Sequence, residues 1–259
     1  MNALDRYLPV GLRGVATVVP HPATTEIRAR LGFTARHGGT MVVAGPRGAG
    51  KRIALAAALS DQQHPYSFVA MPPAPSENKL MAVLIDAVLG DRDEYELRDM
   101  QDDLVDALGH ESSILVIDQA QELTTKAASQ LQYLHARPGA NWSLVLLGSD
   151  DLDRASTTSA RLRGDIIATV DVQALKGDDL IRALRGMHAS FGISDPKLLK
   201  LIDQDYCFGL LRRWGIFLQH TLELTHALDP DATPPEIDLS LARAATALMP
   251  PYPRPKPKK

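Results

Sequence analysis

Thr40-Met41-Val42-Val43-Ala44-Gly45-Pro46-Arg47-Gly48-Ala49-Gly50-Lys51-Arg52 is the stretch whose reading decides the fold. Thr40 to Ala44 reads as a buried strand, and Arg52 to Leu59 as the helix that follows it. Between them, Gly45 to Lys51 matches the first seven positions of the eight-position pattern Gly-x-x-x-x-Gly-Lys-Ser/Thr. Gly45, Gly48 and Gly50 let the backbone wrap a phosphate chain with its N–H groups turned inward, and Pro46, Arg47 and Ala49 fill the remaining positions. The helix contributes its N-terminal dipole, and Lys51 supplies a point charge for β and γ phosphates. The plain alternative is a glycine-rich strand-to-helix turn. Arg52 stands at position eight, where Ser or Thr normally offers a hydroxyl to Mg²⁺. A guanidinium cannot coordinate a cation, so Mg²⁺ falls to phosphates, water and an acid elsewhere. Arg52 is left to contact phosphate itself or a backbone outside the site.

Downstream, Ile114-Leu115-Val116-Ile117-Asp118-Gln119-Ala120-Gln121 is an apolar strand ending in an acid, 67 positions after Lys51. Asp118 fits the role of orienting Mg²⁺ through water. The alternative is a core strand that ends in a solvated Asp. Where hydrolytic members carry Glu as the base that polarises the attacking water, this chain has Gln119, which can orient water but cannot take its proton. Two catalytic positions, Arg52 and Gln119, thus depart from pattern together, against fast hydrolysis more than against nucleotide binding.

Further strands are expected at Tyr66 to Ala70, Ser143 to Leu147 and Ile166 to Val172, with helices at Asn78 to Leu89 and Thr124 to His135. Apolar strands alternating with helices predict an α/β fold, a parallel sheet covered on both faces. From Gly177 to Met249 the pattern is helical throughout, which predicts a small all-helical subdomain. The expected organisation is a basic N-terminal segment (1–34), an α/β nucleotide-binding subdomain (35–175), a helical lid (176–249) and a Pro/Lys-rich disordered tail (250–259).

The 259 residues, 45% hydrophobic and 23% charged, exclude wholesale disorder, collagen and a disulfide miniprotein. One cysteine, Cys207, cannot form an internal disulfide and reads as a buried packing residue. No apolar run is long enough for a membrane helix and no signal peptide is evident, so a cytoplasmic location is expected. The eight histidines show no metal-ligand spacing. The net charge of −3 averages an Arg-rich start, twelve acids between Asp86 and Glu122, and a basic tail, so it does not weigh against contact with nucleic acid.

These ordered motifs resemble those of the AAA+ P-loop ATPases, and within them the compact regulators of DNA transposition of the TniB, IstB and MuB type, with ExeA-type ATPases nearby. The resemblance covers roughly residues 35 to 250. Asp118-Gln119-Ala120-Gln121 is similar to that group's Asp-Glu-Ala-Gln/His, with the Glu changed. Leu144 to Ser149 is similar to the strand ending in sensor 1, which makes Ser149 the candidate. Gly209-Leu210-Leu211-Arg212-Arg213 is similar to the Gly-x-x-Arg sensor 2 that opens a lid helix, with Arg212 as its match. Arg161 and Arg163 occupy the region of the arginine finger, which completes a neighbour's site and so implies a homo-oligomer, ring or filament. Each has an ordinary alternative: Ser149 as a strand-end turn, Arg212 or Arg213 as a solvated or salt-bridged helix face, Arg161 and Arg163 on a surface helix. The implied function is an ATP-binding, Mg²⁺-dependent regulator that oligomerises on duplex DNA and recruits or activates a transposase, with slow or absent hydrolysis. A hydrolysing remodelling ATPase with another acid such as Glu122 as base, and an interaction module with a relic loop, stay open beside it.

Overall fold

Five parallel strands, β1 (Thr40–Ala44), β2 (Tyr66–Ala70), β3 (Ile114–Asp118), β4 (Ser143–Leu147) and β5 (Ile166–Asp171), form a sheet in the order β2-β3-β4-β1-β5 in the computed structural model. The structure describes residues 19–90, 97–110, 112–149, 164–227 and 232–253. All five positions of β1, β3 and β4 are buried, whereas the edge strands β2 and β5 are partly open. That is why the three interior strands read as unbroken apolar runs and not as alternations.

Parallel neighbours need crossovers, and helices supply them. α1 (Ala23–His37) precedes β1, α2 (Lys51–Leu59) follows it, α3 (Glu77–Leu89) and α4 (Leu97–His110) lie between β2 and β3, and α5 (Thr125–His135) between β3 and β4. Ser76 and Thr124 cap α3 and α5 by accepting from the amides of Lys79 and Ala127. On one sheet face Val42, Leu115, Ile117, Leu144 and Leu146 share a core with Leu80, Leu84, Leu104, Leu108 and Leu131. Met41, Val43, Val116, Val145 and Leu147, of opposite parity, are equally buried, so both faces are covered. α1 was not expected from the basic N-terminal segment. It buries Ile27, Leu31, Thr34 and Ala35, and the Ser143 hydroxyl donates to the Thr34 carbonyl at 3.1 Å.

The helical part consists of α6 (Gly177–Met187), α7 (Ala189–Ile193), α8 (Pro196–Ile202), α9 (Leu211–Leu224) and α10 (Leu239–Leu248). The expected helical run is broken by a π-helical turn at Asp203–Cys207. Trp214 centres this core, edge-on to Phe191 (5.4 Å, 88°) and to Phe217 (5.5 Å, 81°). Cys207 is buried here, and burial pushes its thiol well up.

The described residues form two compact units. One holds the sheet, Thr25–Gly45 and Ala58–Val172; the other combines residues 19–24, the loop and helix start Pro46–Ala57, and the helical part from Gln173. Among the described residues no helix is long and apolar enough to cross a membrane.

Candidate nucleotide site

In the sheet unit, the chemistry-bearing residues gather at the carboxyl ends of neighbouring strands. Gly45 follows β1 with φ +145°, and a Cβ there would stand 2.1 Å from the Val172 carbonyl oxygen. Only glycine therefore lets the Val172 amide donate to the Ala44 carbonyl at 2.8 Å. Asp118 ends β3 opposite Leu147 and is 4% exposed, so it is not a solvated strand end. Next to it, Gln119 takes the left-handed conformation, φ 57° and ψ 38°, which costs a non-glycine residue roughly 1 kcal/mol or more. This bend starts a short 3₁₀ turn, Ala120–Glu122, in which the Glu122 amide donates to the Gln119 carbonyl at 2.9 Å.

The turn carries Gln121 back toward β4, where the Ser149 amide donates to its Oε1 at 3.2 Å. Ser149 is 7% exposed, and its Oγ makes no hydrogen bond among the described residues. An unpaired buried hydroxyl costs about 1–3 kcal/mol, so this one calls for a partner beyond the described residues. The fourth residue of the Asp118–Gln121 motif thus positions the residue read as sensor 1, a role the motif itself does not announce.

In the other unit, the loop's carbonyls account for its shape. Pro46 O accepts from the Lys51 ammonium at 2.8 Å and from the Ala49 amide at 3.2 Å. Gly48 O accepts from the Arg212 amide at 3.2 Å, and Gly50 O from the Ala54 amide at 2.9 Å. Ala49 O meets Nε2 of His21 at 2.9 Å. Carbonyls 46, 48, 49 and 50 are all committed to protein donors, the arrangement needed if the loop is to offer N–H groups, not oxygens, to an anion. Lys51 opens α2, and Arg47 is exposed.

Arg212 and Arg213 separate cleanly. Arg212 is exposed, its Cβ within 2.9 Å of where a Gly48 Cβ would lie. Arg213 is 6% exposed and structural: Nε donates to the Tyr206 carbonyl at 2.9 Å, Nη1 to the Pro250 carbonyl at 2.8 Å, and its guanidinium lies 5.1 Å from the Tyr252 ring centre. The Gly-x-x-Arg spacing matches Arg212, and the helical face turns Arg212 outward and Arg213 inward. The turn before them is set by Asp203, whose Oδ1 accepts from the Gly209 amide at 2.6 Å and from Trp214 Nε1 at 3.0 Å. Burial raises the Asp203 carboxyl above its usual range, partly offset by these two donors. Arg161 and Arg163 lie outside the described residues.

As for Mg²⁺, the described residues hold no cluster of three or more His, Cys, Asp or Glu side chains able to cage a metal. A single buried acid at a strand end fits the ion's habit of taking one or two carboxylates and completing its shell with phosphate and water. Asp118 would be the protein's contribution, and the ion would neutralise phosphate charge.

Residues 34–156 match a family model described as an AAA domain. Among curated proteins, no sequence matches. Solved structures with similar folds include the Aeropyrum pernix ORC2 protein in its ADPNP–ADP complexes, with TM-score 0.65, 19% identity, and coverage of 89% of this chain and 69% of that one. The Aeropyrum pernix ORC1 protein in complex with DNA gives TM-score 0.58 and 15% identity, covering 88% and 66%. Domain III of the Thermotoga maritima replication initiation protein DnaA gives 0.60 and 16%, covering 88% and 93%. With a glycine-rich loop after β1, an acid ending β3 and the strand order β2-β3-β4-β1-β5, this chain has the P-loop NTPase fold seen in AAA+ proteins, and its residues 34–156 are similar to the AAA domain.

Proposed function

We propose that this protein binds ATP with Mg²⁺ and, in the ATP-bound form, assembles as a homo-oligomer on duplex DNA to recruit or activate a transposase, hydrolysing ATP slowly or not at all. The observation that carries the nucleotide part is the anchoring of carbonyls 46, 48, 49 and 50 onto protein donors, with Lys51 at the start of α2. In this reading Lys51 and the loop amides hold the phosphates, Asp118 holds the ion, the orphan Ser149 hydroxyl meets the terminal phosphate, and exposed Arg212 contacts the phosphates from the lid. Slow turnover follows from Gln119, which has no carboxylate to take a proton from water.

The similar folds found with ADPNP and ADP, and with DNA, support the nucleotide and DNA parts. The transposase partner rests on the motif resemblance alone, and a cytoplasmic location accompanies it. Sedimentation with and without ATP and duplex DNA tests the assembly: growth of the oligomer with ATP supports the reading, and indifference to ATP and to a slow analogue overturns it. Phosphate release tests the chemistry. Gln119→Glu should accelerate it by about 10²-fold or more, the range a general base supplies; rapid release by the parent would favour the hydrolysing reading instead.

A further inference from the structure

His21 lies in the segment just before α1, 6% exposed, in a position that no loop motif predicts. Its two ring nitrogens have partners of opposite kind. Nε2 lies 2.9 Å from the Ala49 carbonyl, which can only accept. Nδ1 lies 3.2 Å from the Ala23 amide, which can only donate. The pair fixes a neutral imidazole with its proton on Nε2. Its ring edge also abuts the loop at the next residue: a Cβ on Gly50 would stand 2.9 Å from His21 Cδ2, 3.2 Å from its Nε2 and 2.8 Å from Leu211 Cδ1. Gly50 has φ +98°, so its own conformation does not hold the peptide in place.

We infer that His21 is the positioning residue of the phosphate loop: by holding the Ala49 carbonyl, it fixes the plane of the Ala49–Gly50 peptide. In a trans peptide the carbonyl and the following N–H point to opposite edges. With the oxygen anchored on the imidazole, the Gly50 N–H faces the other way, as an anion ligand requires. A loop glycine free to rotate that plane would present an oxygen to phosphate in part of its population. The role is independent of the terminal phosphate, because the same loop holds ADP and ATP. It rests on the nucleotide reading proposed above.

The test is nucleotide affinity of four full-length proteins: the parent, His21→Leu, His21→Gln and Lys51→Ala, each titrated with fluorescent ADP and with a slow ATP analogue. His21→Leu fills much of the ring's volume without a donor and should weaken both nucleotides by about tenfold, leaving their ratio unchanged. His21→Gln places an amide N–H near the position of Nε2 and should recover affinity to within about threefold of the parent. Unchanged affinity in His21→Leu, no recovery in His21→Gln, or a loss confined to the ATP analogue would overturn the assignment. Unchanged affinity in Lys51→Ala, or no binding by the parent, would overturn the nucleotide reading itself. Should His21→Leu fail to fold, ¹⁵N spectra of the parent's histidines decide: a neutral ring protonated on Nε2 is expected for His21, and a proton on Nδ1 refutes the clamp.

Discussion

Gly209 and Gly177 offer a matched test of how the turn before α9 is built, because both are left-handed and only one is crowded. Gly209 has φ +71° and is buried; a Cβ there would meet the Leu175 carbonyl oxygen at 2.1 Å, its nitrogen at 2.8 Å and its carbonyl carbon at 3.0 Å. Gly177 has φ +56°, is exposed, and has nothing within 4 Å of its would-be Cβ. Replacing either by Ala costs about 1 kcal/mol for the left-handed backbone, largely offset by the lower entropy of the unfolded chain. Gly209→Ala must in addition push Leu175 away, losing the bond from the Leu175 amide to the Gly209 carbonyl (3.0 Å) and loosening the one from the Gly209 amide to Asp203 (2.6 Å). At about 1 kcal/mol each or somewhat more, the excess is about 2–3 kcal/mol. With a slope of about 2.5 kcal/mol/M, that corresponds to a urea midpoint about 1 M lower for Gly209→Ala than for Gly177→Ala. Equal midpoints for the two variants would refute the crowding argument.

Three further outcomes follow from the same interactions. Asp203→Asn keeps the oxygen that accepts from Gly209 and Trp214 and removes a desolvated charge. Because burial raises the folded carboxyl's pKa, its stabilising contribution is full below the unfolded value of 3.8 and lost as pH rises through the folded one. Asp203→Asn should therefore unfold no earlier than the parent at pH 7, whereas Asp203→Ala should lose about 1–3 kcal/mol in urea titration; equal losses would sink the account. Gln121→Met, which removes the acceptor of the Ser149 amide, should change the ratio of ATP to ADP affinity by about three- to tenfold while Gln121→Glu preserves it; a ratio indifferent to Met contradicts the positioning role. Finally, burial lowers the pKa values of His21, His135 and His188, so the unfolded chain binds more protons just below its own histidine value of 6.5. From these groups, stability is full above pH 6.5 and declines as pH falls through the folded values; a urea midpoint that rises between pH 7 and 5.5 would contradict the sign.

The strands were legible in the sequence because the interior of a parallel sheet tolerates little but apolar residues. The last strand ends at Asp171, one residue short of the reading. α1 was hidden by its surface: four buried positions, two of them Thr34 and Ala35, carry a weak stripe among arginines and threonines. α4 was lost in the acidic stretch, although Leu104, Val105 and Leu108 are buried at helical spacing. At the candidate site, the residues proposed to face a ligand have a recognisable type and spacing, whereas those that aim them do not. His21 reaches its loop partner across 28 residues and Gln121 its strand partner across 28, through bonds any donor or acceptor of the right reach could make. Only Gly209 carried a readable hint of its role, since a turn that needs positive φ favours glycine.

The bond from the Arg212 amide to the Gly48 carbonyl has a thermodynamic consequence beyond geometry. Together with Ile53, which packs against the helical core around Trp214, it ties the loop to α9, and the two are expected to open as one cooperative unit. Whatever binds the loop at a hundredfold excess over its dissociation constant lowers the free energy of that whole unit by about 2.7 kcal/mol. Protection against hydrogen exchange should then spread from the loop into the buried amides of Trp214, Phe217 and Leu218, so the helical part reports occupancy of the loop.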